Sequence, residues 1–204
     1  MKLAVGKKVI YPSQGPCRIG HVVSRAIDGT LIEFYHLVVL AESGGELYVP
    51  VDKAEDIGIR LLLDRSEIPK LLAHLKRTAT TADHWKQRAI CNSKLFTSGS
   101  AFDLAEIVES LTELRDTKAL TLNESRTLER ARSLLIGEIA EVMGETKREA
   151  EERIDIALNA RKEKIEPVLV IKRNLANESN LNRGRNGTAR QANRKSQRAG
   201  TQSI

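Results

Sequence analysis

Two periodicities divide the chain. Between residues 7 and 51, apolar positions come in short runs broken by turn residues. Lys8-Val9-Ile10-Tyr11 leads into Pro12-Ser13-Gln14-Gly15-Pro16, then Arg18 to Val23, then Asp28-Gly29, a strong hairpin dipeptide. Leu31 to Leu40 is rich in β-branched and aromatic residues, Gly44-Gly45 marks another reversal, and Leu47-Tyr48-Val49-Pro50-Val51 follows. These short strands with tight turns predict a small barrel or strongly bent sheet. The sheet must be antiparallel, because no connection is long enough for a parallel crossover. Pro50 has no N–H to give a ladder, so its strand should be an edge. Such a proline either guards against aggregation or marks an edge open to a partner strand, and the residues alone leave both readings open.

From Asp64 onward the period becomes helical. Ser66 is expected to cap a helix through about Arg77, with Ile68, Leu71, Leu72 and Leu75 on one face. Residues 82–96 form a helix around Trp85. Ser98-Gly99-Ser100 reads as a turn plus a cap for the next helix, whose apolar stripe is Leu104, Ile107, Val108, Leu111 and Leu114. Thr121-x-x-Glu124 and Thr146-x-x-Glu149 are capping boxes. They open helices at about 122–143 and 147–164, with Gly144 as the stop between them. The first should bury Leu128, Ala131, Leu135, Ile139 and Val142, the second Ala150, Ile154, Ala157 and Leu158. Helices joined by such short links predict a compact bundle. After Pro167 the periodicity ends, and the Asn-, Arg- and Gly-rich composition of 172–204 predicts disorder. The expected organisation is α+β: a small antiparallel β-domain at 1–63, an all-α domain at 64–164 and a basic tail at 165–204.

Charge sharpens this division. The net charge is +6, yet residues 167–204 hold eight Lys/Arg against the single acid Glu178, which leaves residues 1–166 at −1. The basicity therefore belongs to the tail, either as a non-specific polyanion contact or as a solubilising extension. No run of 18 apolar residues predicts a membrane span, and the first residues lack a signal-peptide core. Two distant cysteines, Cys17 and Cys91, suit a reducing cytoplasm and suggest no disulfide framework.

Chemistry is sparsely supported. The chain has no Gly-rich phosphate loop and no nucleophile elbow, so no enzyme, catalytic residue or cofactor is expected. Cys17 with His21 would share a strand face and His84 with Cys91 a helix, but neither pair has close finger spacing, and no metal site is expected. Trp85 is the only tryptophan. Its neighbours at helical spacing are Thr81, Ala82, Arg88 and Ala89, of which only the alanines are apolar. It is either a core filler, a protein-interface anchor, or an apolar wedge for DNA with Lys86 and Arg88 to hold phosphates.

The order of parts carries a resemblance. Val9-Ile10-Tyr11-Pro12-x-x-Gly15-Pro16, then Ile27-Asp28-Gly29, Tyr48-Val49-Pro50-Val51 and Ala54-Glu55-Asp56-Ile57-Gly58-Ile59-Arg60 form one pattern. A tryptophan follows about 35 residues after Tyr48-Val49-Pro50-Val51, and L-x-x-x-E-x-R-x-L-x-x-A-R-x-L-L runs from 120 to 135. Over residues 1 to about 160 the chain resembles the CarD/CdnL family of bacterial transcription regulators. Its first part is similar to the domain that this family shares with transcription-repair coupling factors. The resemblance implies a Tudor/SH3-like barrel that docks on the RNA polymerase β subunit through Arg25, Ile27, Tyr48 and Pro50. Some members carry Arg at the position of Tyr48. It also implies that Trp85 enters the minor groove of promoter DNA at the upstream edge of the transcription bubble, with Lys86 and Arg88 on phosphates. The implied function is stabilisation of the promoter open complex on polymerase holoenzyme, without sequence reading. The rival is a non-enzymatic adaptor that links polymerase to another protein through the helices.

Overall fold

The computed structural model describes residues 3–41, 44–77 and 84–161. Strands β1 (Lys8–Tyr11), β2 (Gly15–Ile27), β3 (Thr30–Val39), β4 (Glu46–Pro50) and β5 (Arg60–Leu61) form one antiparallel sheet in the order β4-β3-β2-β1-β5. The β2–β3 hairpin turns on Asp28 (φ 50°) and Gly29 (φ 76°), the two positive φ angles that suit the twist of a two-residue connection. Strand β4, which ends in Pro50, lies at one edge, where a residue without an N–H costs no ladder bond. A single 3₁₀ turn at Val51–Lys53 begins the connection to β5, which pairs with β1 at the other edge.

One face of the sheet carries its core. Val9, Cys17 and Val39 stand side by side, as do Ile19 and Leu37, and Tyr35 and Val49. Ala54 and Ile59, from the connection before β5, join the same cluster. The Tyr35 hydroxyl accepts the Leu3 N–H at 2.9 Å, which satisfies both groups where water is excluded. A bulge interrupts β2 between Ile19 and His21: Ile19 pairs with Leu37, and His21 with the adjacent His36. The extra residue, Gly20, has no side chain to place, and a Cβ there would stand 2.7 Å from His36 Nδ1. The bulge reverses the alternation, so Cys17 points into the core while His21 lies on the outer face. The expectation that these two share a face is thereby corrected.

Among the described residues five helices follow: α1 (Ile68–His74), α2 (Trp85–Thr97), α3 (Ala101–Thr117), α4 (Leu122–Met143) and α5 (147–161). Most of the expected stop and start signals act as such. The Ser100 hydroxyl accepts the Asp103 N–H, Thr121 and Glu124 complete a capping box, and Thr146 with Glu149 forms its equivalent at α5. Gly144 ends α4 in the left-handed conformation at φ 69°. Ser66 differs from expectation. Residues 65–67 form a turn, and the Glu67 carboxylate accepts the Asp64 N–H at 2.9 Å, so α1 starts later and Ser66 does not cap it. The apolar stripe of α3 is buried throughout and packs with Leu128, Ala131, Leu135 and Ile139 of α4 and Ile154, Ala157 and Leu158 of α5. Val142 is only half-buried at the rim of this core. The expected residues 82 and 83 of the Trp helix, the end of the last helix beyond 161 and the whole tail lie outside the described residues.

Sheet and helices belong to one compact unit that runs to Arg161. The joint is polar at its centre. Arg60 donates from Nη1 and Nη2 to the two oxygens of Glu138 at 2.6 and 2.8 Å, and from Nε to the Gly99 carbonyl at 2.7 Å. The Leu63 N–H donates to the same carboxylate at 3.1 Å. Lys8 pairs with Glu141, and Arg130 donates to the Ser13 carbonyl at 3.2 Å. Pro12 fits against glycine backbone here: a Cβ on Gly99 would stand 3.1 Å from its Cγ. The gap beside Pro12, Gly99 and Glu138 is only about 10 Å³, and a cleft of about 160 Å³ opens farther along, where Pro16 and Leu40 face Gly137 and Ala140 of α4.

Candidate functional site

Two surfaces carry the residues singled out above. The first is the outer face of the sheet. Beyond the bulge, His21 pairs with His36 and His36 with Tyr48, while Val23 pairs with Phe34 and Phe34 with Pro50. Strand alternation then puts Arg25 and Ile27 on that face as well. The four residues expected to dock a partner thus share one surface beside the β4 edge. Arg25 lies over the Tyr48 ring, 4.6 Å from its centroid, a cation–π contact that fixes the guanidinium while leaving the side chain exposed. The ring row continues inward: Tyr48 to His36 at 5.1 Å, and His36 to His21 at 4.5 Å between centroids. His36 Nε2 stands 3.1 Å from Glu46 Oε2. Ile27 is exposed and Pro50 half-buried. This ring row was not legible in the sequence, because it depends on the register of three strands.

The second surface is the start of α2. Trp85 is its first residue and is 56% exposed. His84 precedes the helix, stacks near the indole at 6.2 Å between centroids, and accepts the Lys86 N–H on Nδ1. Lys86 Nζ lies 5.6 Å from the centroid of the indole ring. Indole and ammonium are therefore presented together. Across from Trp85, Thr121, Leu122, Asn123 and Glu124 at the start of α4 line an open groove of about 330 Å³. Leu122 is largely exposed there.

Arg88 departs from expectation. Its side chain is 6% exposed and donates to Glu124 Oε1 from Nε at 2.9 Å and from Nη2 at 2.7 Å. A guanidinium so placed is not offered to a phosphate; it ties α2 to α4. Burial pushes the pKa of Glu124 up, but the Thr121 N–H, the Arg88 side chain and the Thr121 hydroxyl outweigh this and hold it below the usual carboxylate range. The capping box revealed one role of Glu124, and nothing local revealed the other, since its partner lies 36 residues away.

Burial raises the Cys17 thiol to about 11, against a weaker opposing hydrogen bond at Tyr11, which leaves it a poor nucleophile. Among the described residues no group of three or more His, Cys, Asp or Glu is gathered to hold a metal. No helix among them is long and apolar enough to cross a membrane.

Comparison with known proteins bears on both parts of the chain. Residues 3–62 match the family model "CarD-like/TRCF RID domain", and residues 70–155 match "CarD, C-terminal domain". The chain belongs to the CarD family. The sheet is thus the RNA polymerase-interacting domain of a CarD-like transcription factor, and α1 to α5 fall largely within the CarD C-terminal domain. A Bacillus subtilis (strain 168) protein described as "Putative transcription factor YdeB" is 24% identical over 147 residues, which cover 71% of this chain and 95% of that protein. The solution structure of the 72-residue N-terminal domain of Myxococcus xanthus CarD matches at 35% identity, over 29% of this chain and 79% of that one, with a TM-score of 0.26.

Proposed function

We propose that this CarD-family protein acts at transcription initiation, docking on the RNA polymerase β subunit and stabilising the promoter open complex of the holoenzyme. Arg25, Ile27, Tyr48 and Pro50 form the docking surface. Trp85 wedges into the minor groove at the upstream edge of the bubble, and Lys86 holds an adjacent phosphate. The observation that carries this reading is the exposed indole at the start of α2, on the same compact unit as the outer sheet face. An aromatic wedge fills the gap opened when a base step unstacks, and it needs no sequence code to do so. Residues 1–166 carry a net charge of −1, so their affinity for free DNA is low. Attachment to polymerase supplies the local concentration instead. The reaction requires no catalytic group.

The test is the lifetime of an open complex on a promoter. Stacking on an aromatic face is worth about 1–3 kcal/mol, so Trp85→Ala should shorten the lifetime by roughly tenfold. Binding to polymerase and helix content should be unchanged, because the ring is outside the core. An unaltered lifetime would remove the wedge. The adaptor reading draws on Leu122, which with Trp85 makes an apolar pair beside the groove. Promoter footprints made with and without the protein separate the two, since an adaptor leaves upstream DNA unprotected.

A further inference from the structure

Glu124 serves two helices at once. Its Oε2 accepts the Thr121 N–H at 2.9 Å and the Thr121 hydroxyl at 2.8 Å, which closes the cap of α4. Its Oε1 accepts both Arg88 donors described above. The rest of α2 is weakly seated near its start. Only Arg88 and Asn92 are buried along it, and its apolar anchors, Leu95 and Phe96, lie more than two turns beyond Trp85. Arg88 is one turn from the indole.

We propose that Arg88 and Glu124 form a latch that sets the direction of Trp85, which makes Arg88 a positioning residue and not a phosphate ligand. The latch joins the first turn of α2 to the capping box that opens α4. Two N–H groups of the planar guanidinium converge on one carboxylate oxygen, a contact that the ammonium of a lysine does not reproduce. Only the consequence at promoters rests on the wedge proposed above; the latch itself is a property of the free protein.

The two roles of Arg88 predict opposite signs for one substitution. Glu124→Gln keeps the capping box, since Gln serves at that position as Glu does, but removes the negative partner. A phosphate-binding Arg88 would be released by the change, and open complexes would live longer. A latch would loosen, and they would live shorter. Trp85 is the chain's only tryptophan, so its fluorescence anisotropy reports the start of α2 in the full chain without polymerase. Anisotropy should fall in Glu124→Gln and in Arg88→Lys, and stay at the native value in Thr146→Ala, which removes the capping box of α5 instead. With holoenzyme on a promoter, both latch variants should lose several-fold in open-complex lifetime, approaching Trp85→Ala. Unchanged anisotropy in Glu124→Gln, an equal fall in Thr146→Ala, or a longer-lived open complex overturns the latch. A lower anisotropy with an unchanged lifetime supports the latch and removes the wedge.

Discussion

Arg25 and Arg88 show how one residue type takes two fates. Arg25 lies at an exposed strand position, where its guanidinium is steadied by the Tyr48 ring and its charge stays in water. Arg88 lies under a helix, where its charge is neutralised by Glu124. Substitution should separate them. Arg25→Glu removes the cation–π contact and reverses the charge on the proposed docking face, yet buries nothing new. The variant should keep its melting temperature and lose co-purification with RNA polymerase; normal co-purification would move the docking surface elsewhere. Both arginines look alike in sequence, each a cation among small or polar neighbours. Helical spacing treats a cation as solvated, and only the distant carboxylate makes Arg88 an interior residue. The Trp85 environment was more legible, because the absence of large apolar neighbours at helical spacing is a local property.

Helix α3 is the element on which the others close, and it hides an acid. Glu109 is 3% exposed and its pKa is raised to about 7, mainly by burial, with Glu113 and Glu106 adding to the rise and the Arg161 and Arg77 guanidinia opposing it. In the unfolded chain the same carboxyl ionises near the ordinary value of 4.5. Between those values the folded protein holds a proton that the unfolded chain has released, so stability falls as pH rises from about 4.5 to 7 and then levels. Glu109→Gln should remove this slope. Denaturation by urea should find the variant more stable than the native protein at pH 8, by about 3 kcal/mol at most, and close to it at pH 5. Equal pH dependence in both proteins would show that Glu109 ionises normally. At this scale the elements that local chemistry defines were readable: the Asp28-Gly29 turn, the two capping boxes, the Gly144 stop. Ser66 misled because Glu67, one residue on, makes the turn that precedes α1. The burial of Glu109 was not legible, because its neighbours Glu106 and Glu113 have the look of a solvated face, while packing between helices decides otherwise.

At the scale of the whole molecule, the seam between sheet and bundle matters most. The proposed docking face and the indole can act together only if the distance between them is fixed. Arg60 and Glu138 supply much of that fixity, with four hydrogen bonds converging where almost no free volume remains. Removing one partner strands a buried charge. Arg60→Ala should therefore cost about 3 kcal/mol or more in stability, while the double replacement by methionine should recover most of it, as measured by urea denaturation. Additive losses in the double variant would mean that the pair contributes no coupling. The change from strand to helix near residue 63 was plain from periodicity, but the pairing of Arg60 with Glu138 was not. The two lie 78 positions apart, and each reads in sequence as an ordinary surface charge.

The unpaired residue at Gly20 has a bearing on how this fold can vary. It works as a parity setting: upstream of it, odd-numbered positions of β2 supply the interior, and downstream the odd-numbered positions supply the surface. If Gly20 took a regular place in the ladder, with the length unchanged, Arg25 and Ile27 would turn to the opposite side and take the proposed polymerase contact with them, whereas its deletion would close the bulge and leave both faces as they are. A Cβ at 20 would meet His36 Nδ1, so this position should tolerate loss of the glycine better than its replacement by a larger residue.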